Sequence, residues 1–353
     1  MPIVKDKSLL SCWPDGFSRY YSVSQVIKAV FDKKPVDILD VGGDSKWMYL
    51  FLKDTGLNFN LRIVDTRAPD FVNPKVEYTK ADFFKLDSEK FSAEAVINTD
   101  VLEHIPAELK LPFIDHCIRF SKSLTIFSAP QEDEDVSLSE RTINSLTEAA
   151  TGKQQRWLKE HFKFGKPDFQ IIEKAIEKEG LPYIVLNTNS LENWLLSFAA
   201  NFINQSVSPI PNMDELNRYY NANIGAVGDF AGKPYRKLFI VFKDPELYKR
   251  ALPKIQSIFK PDSSKQFAFT NLVIKAMAEK ALELKHQEQR VKELSLDLDK
   301  ASETIRGYES RVEELSGELQ DIRAKRWFRY INKLDSLLHR VRRIANRIAK
   351  PRQ

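Results

Sequence analysis

The residues with the clearest chemical potential follow short apolar segments in the first part of the chain. Gly42 and Gly43 come directly after the segment VDILDV, and Asp65 ends the next segment, LRIVD. A glycine pair after a strand lets the backbone approach a ligand closely, and a carboxylate about twenty residues later can accept both hydroxyls of a ribose. Together they predict a site for a nucleoside-containing cofactor.

Two further groups of polar residues come later in the same region. Asp82 stands directly before Phe83 and Phe84, so that a carboxylate and an aromatic face would lie where an adenine ring could rest. The segment TDVLEHIP then brings His104, and His161 follows further along. An imidazole, whose unperturbed pKa is near 6.5, can act as a general base. His104 is the first candidate base and His161 the second; the alternatives are a helix cap for His104 and an exposed loop residue for His161.

Secondary-structure elements must position these residues. Along this part of the chain, short apolar segments alternate with amphipathic segments. The helices between the apolar segments include 47–55 and 106–120. The predicted strands are 36–41, 61–65, 76–80, 93–99 and 123–129. Such alternation is typical of a parallel sheet with crossover helices. The sequence therefore predicts a doubly wound, Rossmann-like α/β fold whose ligand lies beyond the carboxyl ends of the strands.

The chain beyond Pro130 begins with polar and helical segments. Residues 131–140 are an acidic run that we predict as a loop, and 141–163 are predicted to be helical. The segment PDFQIIEKAIEKEG has apolar residues at helical spacing and Gly180 as its stop signal.

Two more strands are predicted at 183–188 and 236–244. The polar and aromatic insertion between them, about 190–235, is too long for an idle loop in a compact domain. We therefore predict that it forms a substrate lid.

These segments in this order resemble the class I S-adenosylmethionine-dependent methyltransferases, over about residues 17–245. The matching pieces are ILDVGG, IVDT, KADFF, INTDVLEHIP, SAP and KEHFKFGKPDFQIIEKAIEKEG. The family closes its sheet with an antiparallel pair, which YIVLNT and RKLFIVFKD would supply. The resemblance implies an enzyme that transfers a methyl group from the cofactor S-adenosyl-L-methionine.

The resemblance also implies which side chains hold the cofactor. Asp40 would order the first turn, and the two glycines would admit the methionine portion. The implied cofactor-binding residues are Asp40, Gly42, Gly43, Asp65, Asp82 and Phe83. Methyl transfer needs the acceptor atom held in line about 3 Å from the sulfonium carbon. The catalytic candidates are His104 and His161, with Glu103 in a structural role.

One feature departs from the family pattern. The first motif usually runs G-x-G-x-G, whereas Asp44 and Lys46 stand here where glycines are common. A side chain at either place would narrow the approach to the methionine portion, so a catalytically inactive methyltransferase-like scaffold that recruits glycosyltransferases is the main alternative. A nicotinamide-dependent oxidoreductase is less favoured because residues 42–47 lack two glycines of its G-x-G-x-x-G turn.

Composition excludes several classes of protein. With 42% hydrophobic residues in 353, the chain has ample material for a core and is not wholly disordered. Two cysteines cannot form a disulfide framework, and the five histidines have no CxxC partner or HExxH spacing, so we predict a reducing compartment and no metal site. No signal peptide or run of about 18 apolar residues is found, which predicts a cytosolic protein without a transmembrane helix.

The net charge of +5 is an average over two unlike regions. Residues 323–353 contain eleven Lys or Arg and a single acid, Asp335, and therefore carry +10. The preceding residues carry −5. A mildly acidic body thus has a strongly basic end.

A sustained heptad repeat precedes this basic end. From Val291 to Ile322 apolar residues recur at alternating steps of three and four, with charges at most other positions. A straight helix drifts off a strict seven-residue repeat over this length, so the pattern favours a coiled coil over a single amphipathic helix packed on the body. We predict a coiled coil over 284–325 that forms a homo-oligomer, but the mixed residues of its seam do not choose between two and three strands.

The heptad register stops after Ile322, and a new apolar stripe begins. It includes Trp327, Ile331, Leu334 and Leu338, and its polar face is cationic. This pattern is typical of a helix lying on an anionic membrane surface. Contact with a partner protein or with nucleic acid is an alternative, but nucleic acid would not need a continuous apolar face, and we predict no nucleic-acid partner.

The order of the regions resembles bacterial enzymes that cap O-antigen chains, in which a coiled coil separates the catalytic body from the membrane. We predict a methyltransferase domain over 1–250, a linker and helical lead-in over 251–283, the coiled coil, and a basic amphipathic helix over 326–353. The implied substrate is a sugar of a lipid-linked, cell-surface polysaccharide. Its methylation would end the growth of the polysaccharide and set its length. The same resemblance implies a trimer rather than a dimer, a glycosyltransferase partner and a peripheral location on the inner face of the cell membrane.

Overall fold

The computed structural model describes residues 4–32, 34–43, 46–69, 72–227, 229–260 and 264–348. The chain divides into two compact units, Met1–Lys280 and Ala281–Gln353. The first contains a β-sheet flanked by helices, and the second is helical. Each unit is described by itself.

The sheet of the first unit has seven strands in the described residues. They are β1 (Val36–Val41), β2 (Phe59–Asp65), β3 (Glu77–Lys80), β4 (Ala93–Thr99), β5 (Ser121–Pro130), β6 (Tyr183–Ser190) and β7 (Pro234–Phe242). Their spatial order is β3-β2-β1-β4-β5-β7-β6. The first five run parallel, and β7 is antiparallel to both of its neighbours. The predicted Rossmann-like fold of the methyltransferase type is confirmed.

Helices cover both faces of the sheet. They are α1 (Pro14–Phe31), α2 (Trp47–Thr55), α3 (Ser88–Phe91), α4 (Ala107–Phe120), α5 (Glu134–Thr151), α6 (Arg156–Phe164), α7 (Phe169–Lys178), α8 (Leu191–Ser206), α9 (Met213–Tyr220) and α10 (Pro245–Ile258). One large core lies between the sheet and the side chains of α1, α2 and α10, and a second lies between the sheet and α4 and α7. Strands β1 and β4 are buried on both faces, which explains their continuous apolar sequence.

The acidic run after Pro130 is mostly helical, so the loop predicted for 131–140 is wrong. Helix α5 begins at Glu134 because the Asp133 side chain accepts hydrogen bonds from the backbone of Asp135 and Val136. Acidic residues in the first turn are stabilised by the helix dipole. The helix predicted over 141–163 is divided at Gly152, whose φ of 70° ends α5.

The predicted insertion at 190–235 forms helices α8 and α9, followed by a π-helical turn at Asn221–Gly225. Ile210, Met213 and Leu216 of this region pack against Phe269 and Val273 at the start of the long helix α11 (Gln266–Ile348). A substrate lid here stays a prediction.

The second unit is the remainder of helix α11. The helix passes without interruption through 325–326, where the sequence predicts a change from coiled coil to basic helix. Its apolar residues are exposed on both sides of that point, for example Leu298 at 68% and Trp327 at 70%. Among the described residues, no helix combines the length and the apolar character needed to cross a membrane.

Candidate active site

The strand register places the glycine turn beside the predicted ribose-binding carboxylate. Val41 pairs with Val64, and the Gly42 amide donates to the Val64 carbonyl at 2.8 Å, so Gly42 lies next to Asp65. Adjacent strands are about 4.8 Å apart, which makes the two backbones direct neighbours. On the other side, Asp65 pairs with Lys80 at the end of β3, two residues before Asp82. The three predicted cofactor positions therefore share one edge of the sheet.

Both glycines of this turn are required by their surroundings. Gly42 has a φ of 78°, and a Cβ there would meet Val101 Cγ2 at 2.4 Å. A Cβ at Gly43 would lie 1.9 Å from an oxygen of the Asp40 carboxylate, which is fully buried directly against the turn. No side chain fits at this place without displacing Asp40.

The residues that depart from the family pattern lie just beyond this turn. Asp44 is outside the described residues. Lys46 stands immediately before α2, and its ammonium lies 4.8 Å from the centroid of the Trp47 ring.

The two carboxylates that are predicted to bind the cofactor accept hydrogen bonds from backbone amides of the turns in which they lie. Asp65 Oδ1 accepts a hydrogen bond from the Arg67 amide at 2.7 Å, and Asp82 Oδ1 accepts one from the Phe84 amide at 3.1 Å. The Phe83 ring is enclosed by the second core, with the Phe120 ring centroid 4.8 Å away. Phe84 is 37% exposed and is the accessible aromatic ring of this turn.

A buried ion-pair network lies behind the end of β4. Asp100 follows the strand with a φ of 54°, and its carboxylate accepts two hydrogen bonds from Arg236, at 2.7 and 2.6 Å. Arg19 adds a contact of 2.6 Å, and both arginines also reach Asp15. Burial alone would raise the pKa of Asp100, but Arg19 and Arg236 hold it below its usual value. Two cations thus balance two carboxylates.

The two candidate histidines meet at this edge of the sheet. His104 ends the short 3-10 helix Leu102–His104 after β4, and His161 lies on α6. Their ring centroids are 4.9 Å apart. His161 is 6% exposed, so the alternative of an exposed loop residue is wrong. Glu103 lies between the same elements, with Oε1 4.0 Å from His161 Nε2.

Each histidine has a carboxylate at its Nδ1. The His161 Nδ1 bonds to Glu140 Oε1 at 2.9 Å, and the His104 Nδ1 lies 2.9 Å from Glu160 Oε2. Glu140 also accepts hydrogen bonds from Lys166 at 3.1 Å and from the Tyr235 hydroxyl at 3.0 Å. The His161 ring is therefore held in a fixed orientation.

The pKa values of these groups are displaced by burial and by one another. Burial and the charge of Asp100 raise the pKa of Glu103, whereas burial and the neighbouring His161 lower the pKa of His104. Burial would lower the pKa of His161 too, but its hydrogen bond to Glu140 raises it. Displaced ionisable groups that lie together are typical of functional sites.

Sequence reasoning did not identify Glu140, Lys166 or Arg236. Glu140 falls in the acidic run that was predicted as a loop, and nothing in its spacing links it to His161. Arg236 does carry a signal, because it is an arginine at the start of the apolar strand sequence of β7.

Comparison with known proteins gives structural likeness only. No protein-family model matches the sequence, and no curated protein is significantly similar to it. The plantazolicin methyltransferase BpumL, solved in complex with SAH, is 13% identical over 65% of this chain and 85% of its own, with a TM-score of 0.41. The magnesium protoporphyrin IX methyltransferase ChlM of Synechocystis PCC 6803, with bound SAH, is 13% identical over 65% and 84%, with a TM-score of 0.39. The methyltransferase domain of bacterial CtHen1 is 16% identical over 64% and 97%, with a TM-score of 0.36. Likeness at this level does not bear on activity, so the proposals below rest on this chain's own residues.

Proposed function

We propose that this protein is an S-adenosyl-L-methionine-dependent methyltransferase that acts on a hydroxyl group. The observation that carries the proposal is the register of the sheet, which sets the Gly42 turn beside Asp65. The histidine cluster follows β4, which is the other neighbour of β1, at the same edge. In open α/β sheets, ligands bind beyond the carboxyl ends of the strands. This edge thus offers a backbone approach, a ribose-binding acid and acid–base groups together.

The reaction would transfer a methyl group from sulfur to oxygen. The C–S bond breaks with its electron pair remaining on sulfur, an O–C bond forms, and the acceptor hydroxyl loses its proton. Much of the acceleration can come from holding the two reactants in line. The side chains available to activate the hydroxyl are His104 and His161.

Calorimetric titration with S-adenosyl-L-methionine and with its demethylated product tests cofactor binding. We expect the full chain to bind both, and Asp65→Asn to weaken binding about tenfold or more, since a hydrogen bond to a charged group contributes about 1.5–3 kcal/mol. Asp32→Asn is the matched control, because Asp32 precedes β1 and lies toward the opposite edge of the sheet. It should leave binding unchanged.

Failure to bind either ligand at millimolar concentration would contradict the enzyme and favour the scaffold alternative. In that case Asp65 would be a turn residue only, and Asp65→Asn and Asp32→Asn would behave alike.

The acceptor we propose is a sugar hydroxyl of a lipid-linked, O-antigen-like polysaccharide, whose methylation would end the chain. What supports this is the order of the regions, namely an α/β body, a heptad-patterned helix and a basic amphipathic end. Transfer of labelled methyl groups onto lipid-linked glycans tests it. Labelling of small-molecule acceptors only, with none on glycans, would contradict it.

We propose that the heptad segment of α11 joins copies of this chain, as a trimer. Its seam residues are exposed in the single chain, among them Val291 at 66%, Leu294 at 51% and Ile305 at 56%. A continuous stripe of this kind is stable when it is covered by equivalent helices. Sedimentation equilibrium of the full chain tests the oligomeric state, and a monomer at micromolar concentration would contradict it.

We propose that residues 326–353 bind an anionic membrane from the cytoplasmic side, where glycosyltransferase partners would also act. Ile331, Leu334 and Leu338 form an exposed apolar stripe on this segment, which contains nine Lys or Arg and one acid and so carries +8. Each Lys or Arg near such a surface contributes about 1 kcal/mol of attraction.

Flotation with vesicles of phosphatidylglycerol and phosphatidylcholine tests the membrane proposal. Changing Arg329, Arg340 and Arg343 to Gln should reduce flotation strongly, and added salt should do the same. The matched control changes Arg290, Arg306 and Arg311 to Gln, which removes as many charges from the preceding part of α11. Equal flotation of both triple variants would contradict the proposal that residues 326–353 bind the membrane.

A further inference from the structure

The cluster of Glu103, His104 and His161 brings three metal-ligating groups to one point. Each offers a ligand atom, and these atoms lie within 4.8 Å of one another. The elements that carry them are tied together by Lys110, whose ammonium donates to the Ile105 carbonyl at 3.1 Å and to the Gly165 carbonyl at 2.8 Å. The backbones of the two elements that carry the cluster are therefore held together.

His161 is arranged as metal-ligating histidines usually are. A ligating histidine typically directs its other ring nitrogen at a carboxylate, which fixes the ring and leaves the remaining nitrogen with a lone pair. Glu140 occupies this position at His161 with a hydrogen bond of 2.9 Å to Nδ1, and at His104 the Glu160 carboxylate lies at the same distance from Nδ1 without a hydrogen bond. The Nε2 atom of His161 is then the available ligand atom, and it lies 4.0 Å from Glu103 Oε1.

Glu103 is the group that most needs a cation. It is 0% exposed, and within the described residues neither of its carboxylate oxygens has a hydrogen-bond partner. A buried carboxylate without a partner is strongly unfavourable. Lys166 pairs with Glu140 at 3.1 Å, Arg236 pairs with Asp100 at 2.6 Å, and Lys110 donates to backbone carbonyls, so that the basic group facing Glu103 is the His161 ring at 4.0 Å.

We propose that Glu103, His104 and His161 bind a divalent first-row transition-metal ion. Two imidazoles and one carboxylate suit such an ion, and three protein ligands leave coordination positions open for a substrate. Two ligands of one ion, each about 2.0–2.2 Å from it, are at most about 4.4 Å apart. The 4.0 Å between Glu103 Oε1 and His161 Nε2 lies within that limit, and the separation of up to 4.8 Å within the cluster reaches it when the side chains move by a few tenths of an ångström.

The role of the ion rests on the proposed function. Bound to the acceptor hydroxyl, it would act as a Lewis acid and lower the pKa of that hydroxyl, so that the proton passes to water before or during methyl transfer. His104 and His161 would then act on the hydroxyl through the ion rather than take up its proton themselves. The sequence rules for metal sites miss this cluster, since its ligands come from two distant elements instead of one spaced motif.

Metal titration of the full chain tests the inference without any methyl transfer. After removal of metals with a chelator, the chain is titrated with Mn²⁺ and separately with Zn²⁺, in the absence of S-adenosyl-L-methionine. We expect one ion per chain, bound at least tenfold more weakly by Glu103→Gln and by His104→Asn. His286→Asn is the matched control, because His286 lies exposed on α11, and it should bind as the unchanged chain does.

A second measurement separates ligand loss from misfolding. A bound ion stabilises the folded chain, so each metal should raise the thermal unfolding midpoint of the unchanged chain and of His286→Asn. His104→Asn alters a partly exposed residue and should fold, yet its midpoint should not respond. Absence of binding at millimolar metal, or equal binding by all variants, would overturn the inference.

Titration of the same samples with S-adenosyl-L-methionine distinguishes the two proposals. Cofactor binding without metal binding would overturn the metal site alone. Metal binding without cofactor binding would keep the site and contradict the methyltransferase.

Discussion

Side chains of the same kinds have opposite environments in the α/β body and in α11 from Ala281 onward. In the body, leucines such as Leu39 and Leu61 are fully buried, and even charged residues such as Arg236 are enclosed and paired. Along α11, leucines such as Leu298 and Leu315 are 68% and 47% exposed, and the ion pairs lie at the surface. The body is complete as a single chain, whereas the helix presents an apolar stripe that only another surface can cover.

The largest effect should come from breaking the buried ion pairs of the body. Arg236→Met leaves Asp15 and Asp100 enclosed with only Arg19 to balance them. Removal of one partner of a buried pair costs about 3–5 kcal/mol. We expect the free energy of unfolding, measured by urea denaturation, to fall by about that amount.

The matched control is another arginine in an ion pair of the same body. Arg218→Met removes the contact between Arg218 and Asp214. The side chain of Arg218 is 43% exposed and that of Asp214 is 61% exposed. Exposed pairs contribute about 0–1 kcal/mol. If the free energy of unfolding falls by similar amounts in the two variants, the buried ion pairs of Arg236 do not stabilise the body more than an exposed pair does.

The sequence predicts the elements of the body well but not its buried polar contacts. Apolar periodicity and turn residues act over a few neighbouring positions, and they are sufficient for β1 and β4, whose bounds agree with the predicted ones. The Glu140–His161 bond joins two helices that are brought together by tertiary packing. No local pattern encodes such a pair, so the histidines could be predicted as candidates while their carboxylate partners could not.

The acidic run after Pro130 shows where local reasoning can mislead. Its charges predict a loop, yet α5 begins at this run because of Asp133 and the acidic residues of the first turn. The helix then buries Val136, Glu140 and Ile143 on one face. Charge alone does not distinguish a loop from the beginning of a helix, because helix starts favour acids.

The second effect concerns the exposed stripe of α11. Leu315→Asp places a carboxylate in the predicted seam, where association would have to bury it without a partner. We expect sedimentation equilibrium to show a shift from oligomer to monomer, with the dissociation constant raised at least a hundredfold. The body should keep its unfolding midpoint in urea.

Ser316→Asp is the control for that change. It adds the same charge one residue along the helix, outside the seam, and should leave association within about 0.5 kcal/mol of the unchanged chain. If both variants remain associated, the seam is not the surface that joins the copies.

A third, smaller effect concerns Gly43 in the glycine turn of the body. Gly43→Ala would set a Cβ against the Asp40 carboxylate, so the turn must move. Overpacking of this kind costs about 1–3 kcal/mol. We expect a loss of stability of that size and at least tenfold weaker binding of S-adenosyl-L-methionine by calorimetry. Unchanged affinity would show that the turn does not contact the ligand.

The smallest effect should have the opposite sign. Gly317 lies in the middle of α11 with no atom within 4 Å of an added Cβ, so Gly317→Ala removes backbone freedom from the unfolded chain without a clash. Helix interiors gain about 0.5–1 kcal/mol from this change. In the body, Gly152 has equally open space but a φ of 70°, where alanine is strained, so Gly152→Ala should destabilise. Urea denaturation followed by circular dichroism, at one fixed chain concentration, compares the two. We expect the free energy of unfolding to rise in Gly317→Ala and to fall in Gly152→Ala, because Gly152 ends a helix in a turn whereas Gly317 only weakens a helix. A change in the same direction in both variants would contradict this distinction between the two regions.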